Sequence, residues 1–353
     1  GMDIPSTDLA ESEQAIQTDI QGYEDTVPPV TVSGFFELRG GNRIHEDKYE
    51  KDTSLGEARL QLQADGALSG VSARLTGDFL YDPVGGRQSL DLERGEGMLD
   101  LREAYLMGRP FSFMDVKAGR QILTWGTGDL LFLNDLFPKD WISFFTGRDV
   151  EYLKAPSDAL KVSLFTGVAN LDLVYTPEFD ADRYLNGHRI SFYNENLGRV
   201  SGQDFPTGVD PRVGTFRDDE VSARLYRTFE AFEAALYAYS GFWKSPAGQD
   251  AQGRATFPAL SVWGASLRGP LYKGIVNFET AYYQSRDDDE GDNPAVRNSE
   301  VRFLAGYEQE LMPELTGGVQ YYIEHMSDYD AYRANLPAGA VKKDENRHML
   351  TLR

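Results

Sequence analysis

Cysteine is absent, which removes disulfides, thiolate metal sites and cysteine nucleophiles, and fits an exported protein without fixing a compartment. Long apolar runs are missing as well. No stretch reaches the roughly 18 to 20 uncharged apolar residues that a membrane helix needs, and mean hydropathy is -0.45, so a helical membrane protein is excluded. A membrane protein built of strands is not. Cationic residues are few, 35 Lys and Arg against 56 Asp and Glu for a formal charge of -21, and this excludes nucleic acid as a partner because phosphate binding needs a clustered cationic face. The four histidines, His45, His188, His325 and His348, are scattered with no pair at metal spacing, so neither a metal nor a cofactor is expected. Gly1-Met2 carries no charged and apolar leader, which leaves a cytosolic protein or the mature form of an exported one.

What is present is alternation. Residues 1–29 are acidic and polar, with Leu9, Ile16, Ile20 and Tyr23 at helix-like spacing, and read as a short amphipathic helix or a tail. From Val32 the period becomes two: Val32, Gly34, Phe36 and Leu38 alternate with Ser33, Phe35, Glu37 and Arg39, and Val71, Ala73, Leu75, Gly77 and Phe79 with Ser72, Arg74, Thr76 and Asp78. The pattern predicts strands near 31–43, 55–66, 69–82, 99–108, 113–125, 158–166, 168–177, 219–228, 231–244, 258–268, 272–286, 299–310 and 314–326, with a last one from 346. No helix of ordinary length interrupts them.

The connections fall into two classes that alternate strictly. Short turns lie at 66–69, 108–113, 167, 228–231, 269–273 and 311–315; long polar loops lie at 44–54, 83–98, 126–157, 178–218, 245–257, 287–298 and 327–345. One end of the sheet is trimmed and the other elaborated, as in outer-membrane barrels. A soluble sandwich or barrel shows the same alternation turned inside out. Three features favour the membrane. The strands are about twice the usual five or six residues; the apolar face mixes Gly and Ala with Leu and Val; and Phe79, Tyr81, Tyr105, Tyr175, Tyr237, Tyr239, Phe242, Trp243, Tyr282, Tyr283, Tyr321 and Tyr322 fall near strand ends, where an interfacial girdle would sit. The fold class expected is therefore all-β: a transmembrane antiparallel up-and-down barrel over 30–353 with an in-folded loop. Unpaired edges are costly in hydrocarbon, so the sheet should close with an even strand count, fourteen, or sixteen if the chain continues beyond Arg353.

If the apolar face meets lipid, the opposite face lines a lumen with Glu37, Arg39, Glu57, Arg59, Arg74, Asp78, Arg224, Glu279, Arg302, Glu308 and Glu324. These residues either set a transverse field that selects solutes or form ion pairs of little consequence on a wet wall. The 126–157 connection is rich in Leu130, Leu131, Phe132, Phe137, Trp141, Phe144 and Phe145. Splayed into water it would be an aggregation-prone patch. Folded into the lumen it would constrict the channel, with Asp129, Asn134, Asp135, Lys139, Asp140, Arg148, Asp149 and Glu151 supplying polar contacts. The acidic run 287–292 is a solvated tip or a divalent-ion bridge to lipopolysaccharide, without the spacing of a calcium loop. His188 and Ser191 invite a hydrolase reading, but no nucleophile elbow surrounds them.

The segments AGRQILTWGTGD (118–129), NDLFPKDW (134–141), GRDVEYLKAPSDA (147–159) and VYTPEFD (174–180), with LREAYL (101–106), resemble the porin-like outer-membrane proteins of proteobacteria. The resemblance covers about 99–195 and implies an outer-membrane barrel in contact with lipid and lipopolysaccharide. Because such proteins are often found beside inner-membrane exporters and periplasmic lipid carriers, it also raises transport of a lipid or other hydrophobic compound. The group usually ends in an aromatic residue, whereas this chain ends Leu352-Arg353. The reading is a non-enzymatic channel for small polar or charged solutes; the alternatives are a conduit for hydrophobic cargo, an outer-membrane hydrolase and a soluble β-class binding protein. Trimers are common among general porins, so a homo-oligomer is compatible, although no interface patch stands out.

Overall fold

The structure, a computed structural model, describes residues 30–85, 90–92, 94–95, 97–128, 130–194 and 197–353. The helix or tail expected over 1–29, and Asp129, lie outside the described residues. The chain runs through β1 (Val30–Asn42), β2 (Thr53–Leu68), β3 (Val71–Tyr81), β4 (Leu99–Phe111) and β5 (Met114–Ile122). After a long connection carrying the short helix α1 (Trp141–Phe145) come β6 (Pro156–Phe165) and β7 (Asn170–Thr176). A small hairpin of β8 (Phe192–Asn194) and β9 (Arg199–Ser201) sits in the next loop, followed by β10 (Glu220–Phe229) and β11 (Phe232–Phe242). A second small hairpin, β12 (Gly248–Gln249) and β13 (Ala255–Thr256), leads to β14 (Ala259–Leu271), β15 (Gly274–Ser285), β16 (Glu300–Met312) and β17 (Leu315–Met326). Helix α2 (Tyr329–Asn335) precedes β18 (Asn346–Leu352).

Among the described residues fourteen of these strands form one sheet in sequence order, every neighbour antiparallel, with β8–β9 and β12–β13 as separate ribbons in the loops. The strands match the alternating segments closely because a two-residue period and a tight turn fix both the run and its end. Between β2 and β3 the turn is Ser69-Gly70, both with positive φ (51° and 82°), the backbone hand that suits a two-residue hairpin. The expected closing pair is not made: no ladder joins β1 to β18 among the described residues, and β18 offers seven residues of pairing, all taken by Val319–His325 of β17.

Side-chain orientation decides the solvent. Leu38 is 69% exposed and Phe79 48%, whereas Arg59 is 2% exposed and Asp78 1%. Leu60 lies opposite Phe79, and Leu225 opposite Leu236, so outward apolar residues adjoin across strands. A continuous apolar exterior of this extent is not stable in water, where patches larger than a few hundred Å² are rare on monomers. In hydrocarbon it is the favourable arrangement, and the inter-strand hydrogen bonds keep the backbone satisfied there. Only a third of the expected aromatic girdle is exposed on the outside, and Tyr175 is half-buried. Phe79, Tyr81, Tyr282 and Tyr321 are exposed outward, but Tyr105, Tyr237, Tyr239, Phe242, Trp243, Tyr283 and Tyr322 are buried. Adjacent residues of a strand take opposite faces, so a pair such as Tyr282-Tyr283 puts one ring outside and one inside.

Candidate functional site

The inward face and the 123–155 connection form one unit, built first from register. Glu37 is the cross-strand partner of Arg59 and Arg39 of Glu57, Asp65 of Arg74, and Arg302 of Glu324. Such opposed charges on one face attract each other. Accordingly Arg39 pairs with Glu57 and Arg59 with Glu37, Arg74 with Asp65 at 2.7 Å, and Arg302 with Glu300 and, at 3.9 Å, Glu324. Arg224 pairs with Glu233 at 2.6 Å, and among the described residues Glu308 has only Arg353 as an ion-pair partner, at 4.0 Å. The charges expected to line the lumen all face inward, but most are neutralised by neighbours on the same wall rather than set against an opposite one.

Glu279 is different. Its partners across the ladders are Ser266 and Leu304, and among the described residues no cation pairs with its buried carboxylate. The donors come from the long connection instead. Glu279 Oε1 accepts from the Thr127 N–H, the Thr127 hydroxyl at 2.8 Å and the Gly128 N–H at 2.9 Å. Its Oε2 accepts from the Asn134 N–H at 3.3 Å and the Asn134 side-chain amide at 2.8 Å. Two glycines make this approach possible. Gly126 has φ +84°, and a Cβ there would lie 3.2 Å from Glu279 Oε1; a Cβ on Gly264 would overlap Asn134 Oδ1. Beside the latch, the Tyr283 hydroxyl donates to the Leu133 carbonyl. Leu133 is buried with Tyr239, Trp243, Leu260, Val262, Tyr283, Leu304 and Tyr322, so four aromatics expected in the girdle pack inside instead. Phe137 meets Trp125 edge-on at 4.9 Å.

The rest of the connection reaches the other wall. Lys139 pairs with Asp135 at 3.0 Å, and Asp140 caps α1 by accepting from the Ser143 N–H at 2.7 Å. Arg183 bridges Asp140 at 3.0 Å and Asp100 at 2.7 Å. Burial alone would lower the Arg183 guanidinium's pKa, but Asp100 and Asp140 outweigh it and hold the group firmly protonated. Arg148 reaches Glu57 of β2 at 2.6 Å, and Arg39 donates to the Thr146 carbonyl at 3.2 Å. Tyr152 accepts from Gln61 at 2.5 Å and is covered by the guanidiniums of Arg59, 3.9 Å from the ring centre, and Arg102 at 4.7 Å. The connection therefore touches β2 on one side and β15 on the other, and the sheet wraps around it. Cavities of about 500 and about 70 Å³ remain beside it, with Arg94, Ile142 and Arg183 lining both.

Of the loop residues singled out from sequence, Asn134, Asp135, Lys139, Asp140 and Arg148 make the polar contacts. Asp149 and Glu151 do not. Both are exposed, because Asp149 caps the short 3-10 turn Val150–Leu153 by accepting from the Glu151 N–H at 3.2 Å, which faces both carboxylates away from the wall. His188 and Ser191 are not hydrogen-bonded to each other; the Ser191 hydroxyl accepts from Arg43 at 3.3 Å. Sequence reasoning missed Asp100 and Arg102, although their alternation with Leu99 and Leu101 carried the signal. It also missed Arg183, Glu220 and Lys244, two of which lie in loops without periodicity.

No family model matches the chain, and no curated protein matches it. Among solved structures, the outer membrane channel DcaP of Acinetobacter baumannii is 14% identical, with 90% of this chain and 83% of that one covered at a TM-score of 0.42. OprB of Pseudomonas putida is 13% identical over 92% and 82% of the chains, with a TM-score of 0.42. OmpF of Salmonella typhi, in complex with daunomycin, is 9% identical over 84% and 77%, with a TM-score of 0.41.

Proposed function

We propose that this chain is a porin-like channel of a bacterial outer membrane, passing small polar or charged solutes through a lumen narrowed by the 126–157 loop. The observation that carries the reading is the span of that loop, latched to Glu279 on one wall and to Glu57 on the other, inside a sheet whose exterior is apolar and whose interior is charged. A segment so placed sets the bore, and the paired charges on both sides give it a polar, hydrated lining that suits water-soluble cargo. Incorporation into planar bilayers should give discrete conductance steps, and deletion of 130–145 should enlarge them. Equal steps with and without those residues would rule out a constricting role, and a silent barrel that co-purifies with lipid would replace solute passage by hydrophobic cargo.

A further inference from the structure

The cavity of about 500 Å³ lies between Ile142 of α1, the start of β6 and the loop that follows β7. Its size falls within the about 300–1,000 Å³ of small-molecule sites. Its apolar wall includes Ile142, Phe179, Tyr184, Val213 and Phe257, and Phe179 and Phe257 pack 5.1 Å apart as a buried pair.

Charge in this cavity is unbalanced. Four carboxylates line it, those of Asp158, Glu178, Asp180 and Asp182. Asp158 is paired with Arg120 at 3.1 Å. Glu178 accepts from the Thr215 hydroxyl, and Asp182 from the Lys139 N–H at 2.7 Å and the Ser245 hydroxyl at 2.6 Å. Neither has a cation as partner among the described residues, and the Asp180 carboxylate has no hydrogen-bond or ion-pair partner there. The cations nearby are engaged elsewhere. Lys244 contacts Glu220 at 2.5 Å and the Asp180 backbone carbonyl at 3.0 Å. Arg183 is held by Asp100 and Asp140, and Arg212 by Asp218 at 3.1 Å and the Phe257 carbonyl at 2.7 Å. Among the described residues Arg94, exposed where this cavity meets its smaller neighbour, has no carboxylate partner, and the exposed His188 also lines the wall.

We infer that this cavity is a binding site for a small organic cation, an ammonium on an apolar body, with Asp180 and Glu178 meeting the charge and the Phe257 side holding the body. An unneutralised carboxylate beside apolar surface favours a ligand that supplies both the missing charge and the missing contact. The net charge of -21 enriches cations around the mouth. Burial raises the Asp180 carboxyl to about 6 against the pull of Lys244 and Arg120, so the group is ionised at neutral pH yet gains from a cation that replaces lost water. As a step in solute passage the site rests on the channel reading; as a site it rests on the cavity.

Binding to the detergent-solubilised full chain, measured by titration calorimetry, separates the two. Phenylethylammonium should bind saturably, about tenfold more tightly than ethylammonium, and phenylacetate should not; Asp180→Asn should weaken phenylethylammonium about tenfold, the loss of one charge-assisted contact. If Asp180→Asn does not give a heat-modifiable barrel on gels, Glu178→Gln, which loses only an exposed hydroxyl contact, serves in its place. Absent saturation, equal binding of phenylacetate, or undiminished affinity in the folded variant would overturn the site. Binding without any bilayer conductance would overturn the channel and leave the site standing; conductance without binding would do the reverse.

Discussion

Asn134 and Glu279 stand 145 residues apart in sequence, yet one carboxylate oxygen of Glu279 accepts both the backbone and the side-chain N–H of Asn134. With Thr127 and Gly128 on the other oxygen, five donors converge on an anion that lacks a cation across the ladder. The strand register explains why. Where an arginine is directly opposite, as Arg74 is to Asp65, the wall satisfies itself; opposite Ser266 and Leu304, Glu279 is satisfied by the loop.

Replacing Glu279 by glutamine should therefore loosen the loop. The amide keeps one acceptor oxygen but turns an N–H toward donors that have no acceptor left, and each buried donor so stranded costs about 1–3 kcal/mol. Single-channel recordings of Glu279→Gln are expected to show larger or noisier openings than the parent, without a change in barrel folding on gels. A trace identical to the parent would show that the loop is held elsewhere.

The opposite anchor gives an independent handle. Arg148 contributes its guanidinium to Glu57, which keeps Arg39 when Arg148 is lost, so Arg148→Gln weakens the loop's hold on β2, leaving the Tyr152 contacts to Gln61 and Arg59, without leaving a bare carboxylate. The two anchors lie on different walls and share no partner, and changes at such sites combine nearly additively. The double variant with Glu279→Gln should raise conductance by about the sum of the single effects. A double variant no different from either single one would mean that the loop comes free as one unit.

Much of this was legible in the sequence and some was not, for reasons that particular residues show. The strands could be read because Val71 to Phe79 and its counterparts keep a strict two-residue period up to a turn such as Ser69-Gly70. The inward course of the 126–157 loop could be read because its Leu, Phe and Trp content would not tolerate water. The faces of aromatic doublets could not, since Tyr282-Tyr283 contains both parities and only the neighbours tell which ring is inside. The pairing of Arg39 with Glu57 could not, because the long 43–52 connection leaves the β1–β2 register free until the sheet forms. Arg183 had no pattern at all and Lys244 stood at the last position of an expected strand: the fold alone brings them to Asp100 and Glu220.

The orientation of the sheet predicts opposite responses to one substitution. Leu236, outward and near the middle of β11, sits between Leu225 and Ala265, so Leu236→Arg places a charge in hydrocarbon at a cost of about 2–4 kcal/mol near the midplane. Gln63 faces inward and donates to Asp65 at 2.6 Å, and Gln63→Arg would add a cation beside that carboxylate. Folding into lipid vesicles, followed in urea, should show the first variant destabilised and the second close to the parent. Equal stability of the two would place water on both faces and remove the membrane from the account.

Asp180 carries the pH dependence. Burial lifts its carboxyl to about 6, Lys244 and Arg120 oppose that, and Glu220 and Asp158 add to it, with Glu178, Asp182, His188, Arg94, Arg183 and Arg212 also lining the cavity. A raised carboxyl pKa means that the folded state binds this proton more tightly than the unfolded one. Its contribution to stability is full below the ordinary value of 3.8 and is lost as pH rises through about 6. Function runs the other way, because the ionised form is the one that attracts cations. Cation over anion permeability, measured as reversal potential across a salt gradient, should rise between about pH 5 and pH 7. In Asp180→Asn that rise should flatten, and the stability loss over the same interval should vanish with it; a full rise in the variant would assign the titration to another group.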